Sequence, residues 1–509
     1  MKQFPFYFAI IIFLSSCSIK KENAETKLPN IVIIYADDMG FGDLGIQNPE
    51  SKIPTPNLDE LASEGMRFTD GHSSSGICTP SRYALLTGRY HWRKFHGIVN
   101  SFGQPSFNEE RLTLPEMLKE KGYATACIGK WHLGWNWNFL AEPSGRKILY
   151  NREVKYYLPE EVDWKSPITG GPLSHGFDYY FGDDVPNFPP YTWIENEHVV
   201  IVPTLPLTET PETMEGSWEA RPGPMAEGWQ LDKVMPILTK KAMEYINSRK
   251  GNKEPFFLYF PWTSPHAPIV PTEEFQGTTE AGGYGDFMHQ SDWTAGQVLE
   301  ALKENGFAEN TLVIFTADNG PERYAYDRIR NFEHRSNGNL RGLKRDTWEG
   351  GHRVPFIIKW PGVIEAGKVS DEVVNQVDIM ATLAEIIGFE LPNVAAEDSY
   401  NLLPHLKGNP DAVNIREATV QNTFKDRYAI RKGDWVLIDS ESGMHSKVPD
   451  WFNEQFGYSE NTFAGELYNL KEDISQKDNL YGENPGKVEE LKVLLEKYKA
   501  DGRSVPKRN

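Results

Sequence analysis

The first candidate chemical group in this 509-residue sequence is a cysteine followed closely by a proline and an arginine. Residues 78–82 read Cys-Thr-Pro-Ser-Arg, and proline is favoured at the start of a helix, where its missing N–H is not needed. Cys78 is therefore predicted just before a helix N-terminus, at the positive end of the dipole. Arg82 lies four residues later, on the same side of that helix. The spacing predicts an anion site that contains a reactive group, with an inert buried cysteine as the alternative.

Acidic and amide side chains follow two apolar, β-branched runs typical of buried strands. Asp37 and Asp38 follow the first run, and Asp318 and Asn319 follow a later one. Ligand sites in open parallel sheets collect beyond the carboxyl ends of strands, which is where these groups fall. Adjacent aspartates repel each other unless a cation binds them or water solvates them. Four oxygen-bearing side chains favour calcium or magnesium over zinc.

Basic side chains follow other predicted strands. Lys130 and His132 belong to the run Gly-Lys-Trp-His-Leu-Gly and are predicted to alternate onto one side of an extended segment. His266 lies in a Ser-Pro-His-Ala-Pro loop, and its ordinary pKa near neutrality suits proton transfer. Lys344 begins the run Lys-Arg-Asp-Thr-Trp-Glu-Gly-Gly-His-Arg. A solvated surface loop is the alternative interpretation of these basic stretches.

In this order, the motifs resemble those of the type I, formylglycine-dependent sulfatases of the alkaline phosphatase superfamily. The resemblance extends from about Pro29 to Trp360 and weakly beyond. It implies that a maturing enzyme of the host oxidises Cys78 to formylglycine, whose hydrated aldehyde is the nucleophile. It also implies a calcium ion, whose ligands are expected to be residue 78, Asp37, Asp38, Asp318 and Asn319.

The resemblance further implies a role for each basic residue. Arg82, Lys130 and Lys344 are expected to hold the sulfate group. His132 contacts the formylglycine hydroxyl and serves as the base in sulfate release, whereas His266 protonates the leaving alcohol. Asp318 helps to deprotonate the attacking hydroxyl. Four residues that flank the predicted pocket are expected to read the sugar, namely His91, Trp92, Arg93 and His352.

The fold class that follows is α/β, with a large, mixed but mostly parallel sheet flanked by helices, as in alkaline phosphatase. A catalytic domain is predicted over residues 28–390, and a smaller C-terminal α+β subdomain over residues 391–509. The tryptophan-rich segment 135–230 has no regular pattern, and long irregular segments in compact enzymes tend to carry specificity. Some of its tryptophans are expected to line a sugar cleft.

The N-terminus has the character of a bacterial lipoprotein signal. Residues 1–17 contain Lys2, an apolar stretch and the lipobox-like sequence Leu-Ser-Ser-Cys. Cys17 is predicted to carry the lipid, and residues 18–27 to form a tether. The protein is therefore expected in the cell envelope, lipid-anchored in the periplasm or at the outer membrane. An ordinary cleaved secretion signal is the alternative.

Composition narrows the classes of partner. The net charge of −19 does not attract nucleic acid or anionic lipid surfaces. With Cys17 and Cys78 assigned, Cys127 has no thiol with which to form a disulfide and is predicted to be a buried small hydrophobe.

The expected function is hydrolysis of sulfate esters on poly- or oligosaccharides. Algal glycans such as ulvan, carrageenan or fucoidan suit an acidic, aromatic-rich envelope protein, and glycosaminoglycan fragments are also compatible. Two other functions stay open. One is a phosphoester hydrolase of the same superfamily, and the other is a non-catalytic glycan-binding lipoprotein.

Overall fold

A computed structural model describes residues 1, 27–108, 110–149, 151–209 and 212–508. The predicted lipid-bearing Cys17 and nearly all of the predicted tether lie outside the described residues. Among the helices that are described, none combines the length and apolar character needed to cross a bilayer.

The strands, in chain order, have the following bounds. They are β1 Asn30–Ala36, β2 Met66–Phe68, β3 Gly71–His72, β4 Ala124–Ile128, β5 Gly145–Leu149, β6 Arg152–Tyr156, β7 Tyr179–Gly182, β8 Ile194–Glu195, β9 His198–Val199, β10 Leu205–Leu207, β11 Gly223–Met225, β12 Phe256–Pro261, β13 Thr311–Ala317, β14 Phe356–Lys359, β15 Lys368–Ser370, β16 Val374–Asn375, β17 Thr419–Asn422, β18 Tyr428–Lys432, β19 Trp435–Ile438 and β20 Glu466–Asn469.

The α-helices begin and end close to the capping signals in the sequence. They are α1 Pro56–Ser63, α2 Cys78–Thr87, α3 Leu114–Glu120, α4 Val234–Ser248, α5 Gly282–Glu304, α6 Ala325–Phe332, α7 Glu349–His352, α8 Asp378–Ile387, α9 Leu403–Leu406, α10 Asp450–Phe456 and α11 Pro485–Asp501. Helix α3 illustrates the local cause, because Thr113 and Glu116 form a reciprocal capping box at its N-terminus.

Within the described residues, the principal sheet has ten strands in the order β15-β2-β14-β13-β1-β12-β4-β7-β8-β9. Its centre, from β13 to β7, is parallel, and β14 joins antiparallel. Apolar clusters with helices cover both faces, so β1 and β13 are buried along their whole length. The predicted α/β class with a mixed, mostly parallel sheet is confirmed.

The register of the central strands decides where the acidic residues meet. Strands β1 and β13 are parallel, with Ala36 opposite Ala317, so Asp37 and Asp318 leave the sheet at the same edge. Strand β12 ends nearby at Pro261, opposite Tyr35 in β1. The carboxyl end of the sheet is therefore the place where the predicted site residues come together.

A second sheet lies near the C-terminus, in agreement with the expected C-terminal α+β subdomain. Strands β17 to β20 form a four-stranded antiparallel meander, and α11 packs on it through Leu491 and Leu495. The same apolar cluster includes Ala84 of α2 and Tyr90. The small sheet thus buttresses the helix that begins at Cys78. The domain boundary near residue 390 stays a prediction.

Candidate active site

Helix α2 presents Cys78 at the end of the large sheet. Cys78 is the first residue of the helix, and Pro80 is the third, so the helix starts two residues earlier than the position of the proline predicted. The difference has a simple cause, because none of the first four N–H groups of a helix has an intrahelical acceptor and proline is tolerated there. All ten residues of the helix are buried, which fixes the orientation of Cys78.

Arg82 connects α2 to the ends of two strands. Its Nη1 donates to the backbone oxygen of Lys130 at 3.0 Å, and its Nη2 donates to Oδ2 of Asp318 at 2.9 Å. Oδ2 of Asp37 lies 3.6 Å from the same nitrogen. Burial lowers the pKa of Arg82, but Asp318 and Asp37 outweigh this effect and raise it above its ordinary value. The arginine is therefore a permanent buried cation beside the nucleophile position.

The four predicted metal ligands converge behind Cys78. Asp37, Asp38, Asp318 and Asn319 are all fully buried or nearly so. Asn319 donates from Nδ2 to Oδ1 of Asp38 at 2.8 Å. The Oδ1 atom of Asn319 itself has no hydrogen bond among the described residues. Oδ1 of Asp37 is likewise buried without a described partner. An unsatisfied carboxylate oxygen and an unsatisfied amide oxygen, both buried beside two further carboxylates, are typical of a site for a hard cation.

Both predicted sulfate-binding lysines are paired with these aspartates. Nζ of Lys130 lies 2.5 Å from Oδ2 of Asp37, and Nζ of Lys344 lies 2.6 Å from Oδ1 of Asp38. Lys130 follows Gly129, where the backbone passes very close to that of Pro261. The φ of Gly129 is 128°, and a Cβ at this position would lie 1.8 Å from the backbone oxygen of Pro261. Glycine is therefore required at this turn.

The charges divide the carboxylates into two kinds. Burial raises the pKa of Asp37, but Lys130 and the other cations around it outweigh this and hold the pKa well below its usual range. Burial and the nearby charge of Asp37 raise the pKa of Asp318 well above its usual range. Asp318 is thus the carboxylate of this group with the greater tendency to accept a proton.

His132 and His266 line the same cavity as Cys78. His132 has a left-handed backbone, with φ of 53°, so a turn rather than strand alternation brings it into the site. Burial lowers its pKa well below the ordinary value. Its Nε2 lies 2.9 Å from the oxygen of Val99, and a proton on that nitrogen donates to the carbonyl. Nδ1 has no described hydrogen-bond partner and is left as a lone-pair acceptor.

His266 has the complementary arrangement. A proton on its Nδ1 donates to the oxygen of Ala267, and its Nε2 lies 3.6 Å from Oδ2 of Asp38. Burial and the charge of Lys344 hold its pKa well below the ordinary value. The Asp38 carboxylate and the negative charge of an arriving anion both favour a proton on Nε2, which is what donation to a leaving group requires.

A cavity of about 320 Å³ opens over these groups. Four of the predicted residues line it: Cys78, His132, His266 and Lys344. Arg82, Lys130 and the four oxygen ligands lie in the buried layer that contacts the lining, through the hydrogen bonds given above. The remaining lining residues are Ile77, Ile98, Asn187, Phe188, Trp218, Glu219, Arg221, Glu322, Arg323, Arg345, Phe424, His445 and Ser446.

Most of these additional residues were missed by sequence reasoning. Glu322 and Arg323 follow Asp318 within five positions, and Arg345 is adjacent to Lys344, so proximity to motifs was a usable signal for them. Of the tryptophans expected at a sugar cleft, Trp218 lines this cavity. Phe424 and His445 come from the C-terminal subdomain, and their rings stack with centroids 4.2 Å apart. Nothing in their local sequence indicated this.

The prediction that Arg93 reads the sugar is wrong. Its guanidinium is bound to both oxygens of Asp398, at 2.7 and 2.8 Å, and stacks on Trp92 with 4.3 Å to the ring centroid. His91 is buried against Asn422, and Trp92 packs on Tyr90. None of the three predicted residues lines the cavity. Arg93 instead joins the segment after α2 to the C-terminal region through Asp398. In the sequence, a basic residue with this structural role looks the same as one that binds a substrate.

The same correction applies to His352. It is buried, and its Nδ1 lies 3.1 Å from Nδ1 of His72. With Glu349 the two histidines bring possible metal-ligand atoms within 4.8 Å of one another. However, Arg353 and Arg431 lie 3.5 and 3.6 Å from the Glu349 carboxylate, so arginines already balance its charge. His352 belongs to a structural ionic network rather than to the cavity.

Asp37, Asp38 and His266 form the other group with possible ligand atoms within 4.8 Å of one another. Its carboxylates are also paired with cations, but Asp318 and Asn319 lie beside Asp38 and add further oxygen donors to the group. The oxygen-rich end of the sheet is therefore the better candidate for a metal.

Comparison with known proteins agrees with this arrangement. The sulfatase family model matches residues 29–389, and a model for the C-terminal part of N-sulphoglucosamine sulphohydrolase matches residues 343–501. An N-acetylgalactosamine-6-O-sulfatase of Bacteroides thetaiotaomicron is 34% identical over 534 residues, which cover 96% of this chain and 97% of the relative.

Two further similarities extend this result. Mouse N-acetylgalactosamine-6-sulfatase is 34% identical over 391 residues, which cover 75% of this chain and 66% of the relative. A solved structure from a study of glycosaminoglycan metabolism in Bacteroides thetaiotaomicron has a TM-score of 0.78 and 31% identity, covering 93% of this chain and 100% of that one. The chain therefore belongs to the sulfatase family and is a sulfuric ester hydrolase.

Proposed function

We propose that this protein is a formylglycine-dependent, calcium-binding sulfatase that removes the 6-O-sulfate from a terminal N-acetylgalactosamine of a sulfated glycan. The observation that carries the proposal is the position of Cys78 in a small cavity, next to buried cations and to the unsatisfied oxygens of Asp37 and Asn319. A nucleophile, an anion-binding group of cations and a hard-cation site are the parts that sulfate transfer requires.

The side chains fit calcium. Asp37, Asp38 and Asp318 supply carboxylates, and Asn319 supplies an amide oxygen that has no described hydrogen bond. Oxygen donors of this kind suit calcium or magnesium, and zinc is a poorer match because it prefers sulfur and imidazole ligands. The ion would neutralise the carboxylates and withdraw negative charge from the sulfate oxygens.

A matured residue 78 would supply a hydrated aldehyde, of which one hydroxyl attacks sulfur and the other later expels the sulfate. The buried side chains around it orient and stabilise the reacting group. Arg82 and Lys130, which lie in the protein interior, and Lys344, which lies in the cavity wall, stabilise the negative charge of the sulfate group. Asp318 accepts the proton of the attacking hydroxyl.

The two histidines divide the later proton transfers. His266 donates from Nε2 to the departing sugar oxygen, a position supported by its place in the cavity lining and by Asp38 behind it. His132 accepts a proton at Nδ1, because its Nε2 proton is engaged by the Val99 carbonyl. One histidine therefore acts as acid and the other as base.

The size of the cavity supports action on a chain end. A volume of about 320 Å³ is in the lower range for small-ligand sites and suits one sugar ring with its sulfate. Similarity over nearly the whole chain to an N-acetylgalactosamine-6-O-sulfatase supports that sugar over the algal glycans expected above.

We also propose that lipidated Cys17 anchors the enzyme in the bacterial cell envelope.

The test uses protein produced with a formylglycine-generating enzyme. The peptide that contains residue 78 should weigh about 18 Da less than its unmodified form, because an aldehyde replaces the thiol-bearing group. The matured enzyme should release sulfate from N-acetylgalactosamine-6-sulfate, and Cys78→Ala should be folded and inactive. An unmodified thiol in a competent host, or equal turnover of phosphate and sulfate esters, would contradict the proposal. Glycan binding that survives in Cys78→Ala without wild-type turnover would favour a binding protein.

A further inference from the structure

Three arginines line the cavity, namely Arg221, Arg323 and Arg345. The guanidinium groups of Arg221 and Arg323 each lie on an aromatic ring that also lines it. The Arg323 guanidinium is 4.7 Å from the ring centroid of Trp218, and that of Arg221 is 3.6 Å from the centroid of Phe188. Stacking fixes the plane of a guanidinium while its N–H donors remain at the edge of that plane.

Arg323 differs from the other cations of the site in its partners. Arg82, Lys130 and Lys344 are each paired with an aspartate, and Arg345 is bound to both oxygens of Glu322. Arg323 is exposed, and among the described residues it forms no ion pair within 4.0 Å. An arginine held by stacking alone, in the lining of an anion-binding cavity, is available to an external anion.

We infer that Arg323, together with Arg221, forms a second anion subsite that binds a carboxylate or sulfate on the sugar next to the one that loses its sulfate. The inference rests on the proposed function. Because the cavity holds about one sugar ring, the neighbouring sugar must lie at its rim, where exposed Arg323 stands. A planar, oriented guanidinium binds a carboxylate or sulfate through two parallel hydrogen bonds.

The subsite has a consequence for the class of substrate. A glycan in which the terminal 6-sulfated N-acetylgalactosamine is linked to a uronic acid or to another sulfated sugar places an anion at the rim. A glycan with an uncharged neighbour does not. The enzyme should therefore prefer alternating anionic glycans, and the preference should weaken as salt screens exposed Arg323.

The experiment compares three trisaccharides that share a terminal N-acetylgalactosamine-6-sulfate. The second sugar is glucuronate in one, its carboxyl-reduced form in another, and a sulfated hexose in the third. For the matured wild-type enzyme we expect kcat/KM to be about tenfold higher for each anionic neighbour than for the neutral one, as one charge-assisted contact supplies. In Arg323→Ala this ratio should fall to about one, and in Arg323→Lys it should be intermediate.

Arg330→Ala is the matched control. Arg330 is exposed on α6 and lies over Trp451 at 5.5 Å, outside the cavity, so its loss should leave the ratio near ten. The inference is overturned if the wild type treats the neutral and anionic neighbours alike, or if Arg323→Ala slows all three trisaccharides equally. A difference between the glucuronate and sulfated compounds identifies which anion the subsite prefers and supports the inference in either case.

Failure of the proposed function has a different signature. In that case the matured enzyme hydrolyses a small aryl sulfate but none of the trisaccharides. The three trisaccharides are then compared as inhibitors of aryl sulfate hydrolysis, in the wild type and in Arg323→Ala. Stronger inhibition by the anionic neighbours, lost in Arg323→Ala, supports the subsite, and equal inhibition overturns it.

Discussion

Arg82 and Asp318 form a fully buried ion pair at 2.9 Å that joins the helix beginning at Cys78 to the end of strand β13. The two residues are 236 positions apart in the chain. The contact therefore fixes the nucleophile helix against the acidic edge of the sheet. It also places a guanidinium, which cannot lose its charge, beside a carboxylate whose pKa is raised well above its usual range by burial and by the charge of Asp37.

Removing one partner of this pair should be costly for both folding and activity. Arg82→Met leaves Asp318 and Asp37 without their shared cation in a buried site, and we expect the free energy of unfolding to fall by about 3–5 kcal/mol. Denaturant unfolding measures the loss, and sulfate release should also fall below detection. Arg330→Met on the protein surface is the control. Unchanged stability of Arg82→Met would contradict this account of the pair.

Calcium should both activate and stabilise the enzyme. Chelation should abolish sulfate release and lower Tm, because three buried carboxylates then lose their counter-ion, and calcium should restore both more effectively than magnesium. Asn319→Ala removes a ligand oxygen and should raise the calcium concentration needed for half-maximal activity by about tenfold or more. Exposed Asn252→Ala serves as the control. A Tm that is independent of calcium would argue against the site.

The contribution of His266 to the rate should increase with the basicity of the leaving group. His266→Asn should lower kcat on a sugar sulfate by about 10²- to 10⁴-fold, because the alkoxide of a sugar needs a proton as it departs. The same variant should retain most of its activity on an aryl sulfate with an acidic phenol. His289→Asn, a partly exposed histidine on α5, is the comparison. Equal losses on both substrates would exclude the role of a general acid.

Asp183 should make stability depend on pH. Burial raises its pKa to about 7 in the folded state, and both carboxyl oxygens lack described hydrogen-bond partners. The unfolded chain releases this proton near pH 3.9, so the folded state binds more protons between about pH 4 and pH 7. The contribution of Asp183 to stability is therefore lost as the pH rises through that window.

Asp183→Asn removes the charge and keeps the shape. The variant should match the wild type in Tm near pH 4 and exceed it at pH 8, where the wild-type carboxyl is ionised in a buried position. Differential scanning calorimetry at the two pH values gives the comparison. Exposed Asp371→Asn should show no such difference. A variant less stable than the wild type at pH 8 would contradict the assigned direction.

Much of the scaffold could be predicted because each element has a local cause. The two apolar, β-branched runs that precede Asp37 and Asp318 are strands β1 and β13, as predicted, and the proline at position 80 correctly indicated a helix that begins near Cys78. Site residues that directly follow a strand or open a helix were also predictable, since parallel strands with a common edge bring their ends together. Cys78 was found in this way, whereas His266 and Lys344 were found from the motifs that resemble those of the sulfatases, and all three line the cavity.

The residues at the rim of the cavity could not be predicted in the same way. Arg93 and Arg323 both lie near a motif in the sequence. In the structure, however, Arg93 is bound to Asp398, whereas Arg323 lies on Trp218 in the cavity. Phe424 and His445 reach the cavity only because the C-terminal sheet packs against α2.

The sequence alone determined the family of chemistry, the order of the elements and the residues at strand ends, because these depend on local pattern. The tertiary structure alone decided which cations are paired with carboxylates inside the site and that Arg323 lies on Trp218 in the cavity lining. Pairing between distant side chains depends on packing across hundreds of residues, and no local pattern encodes it.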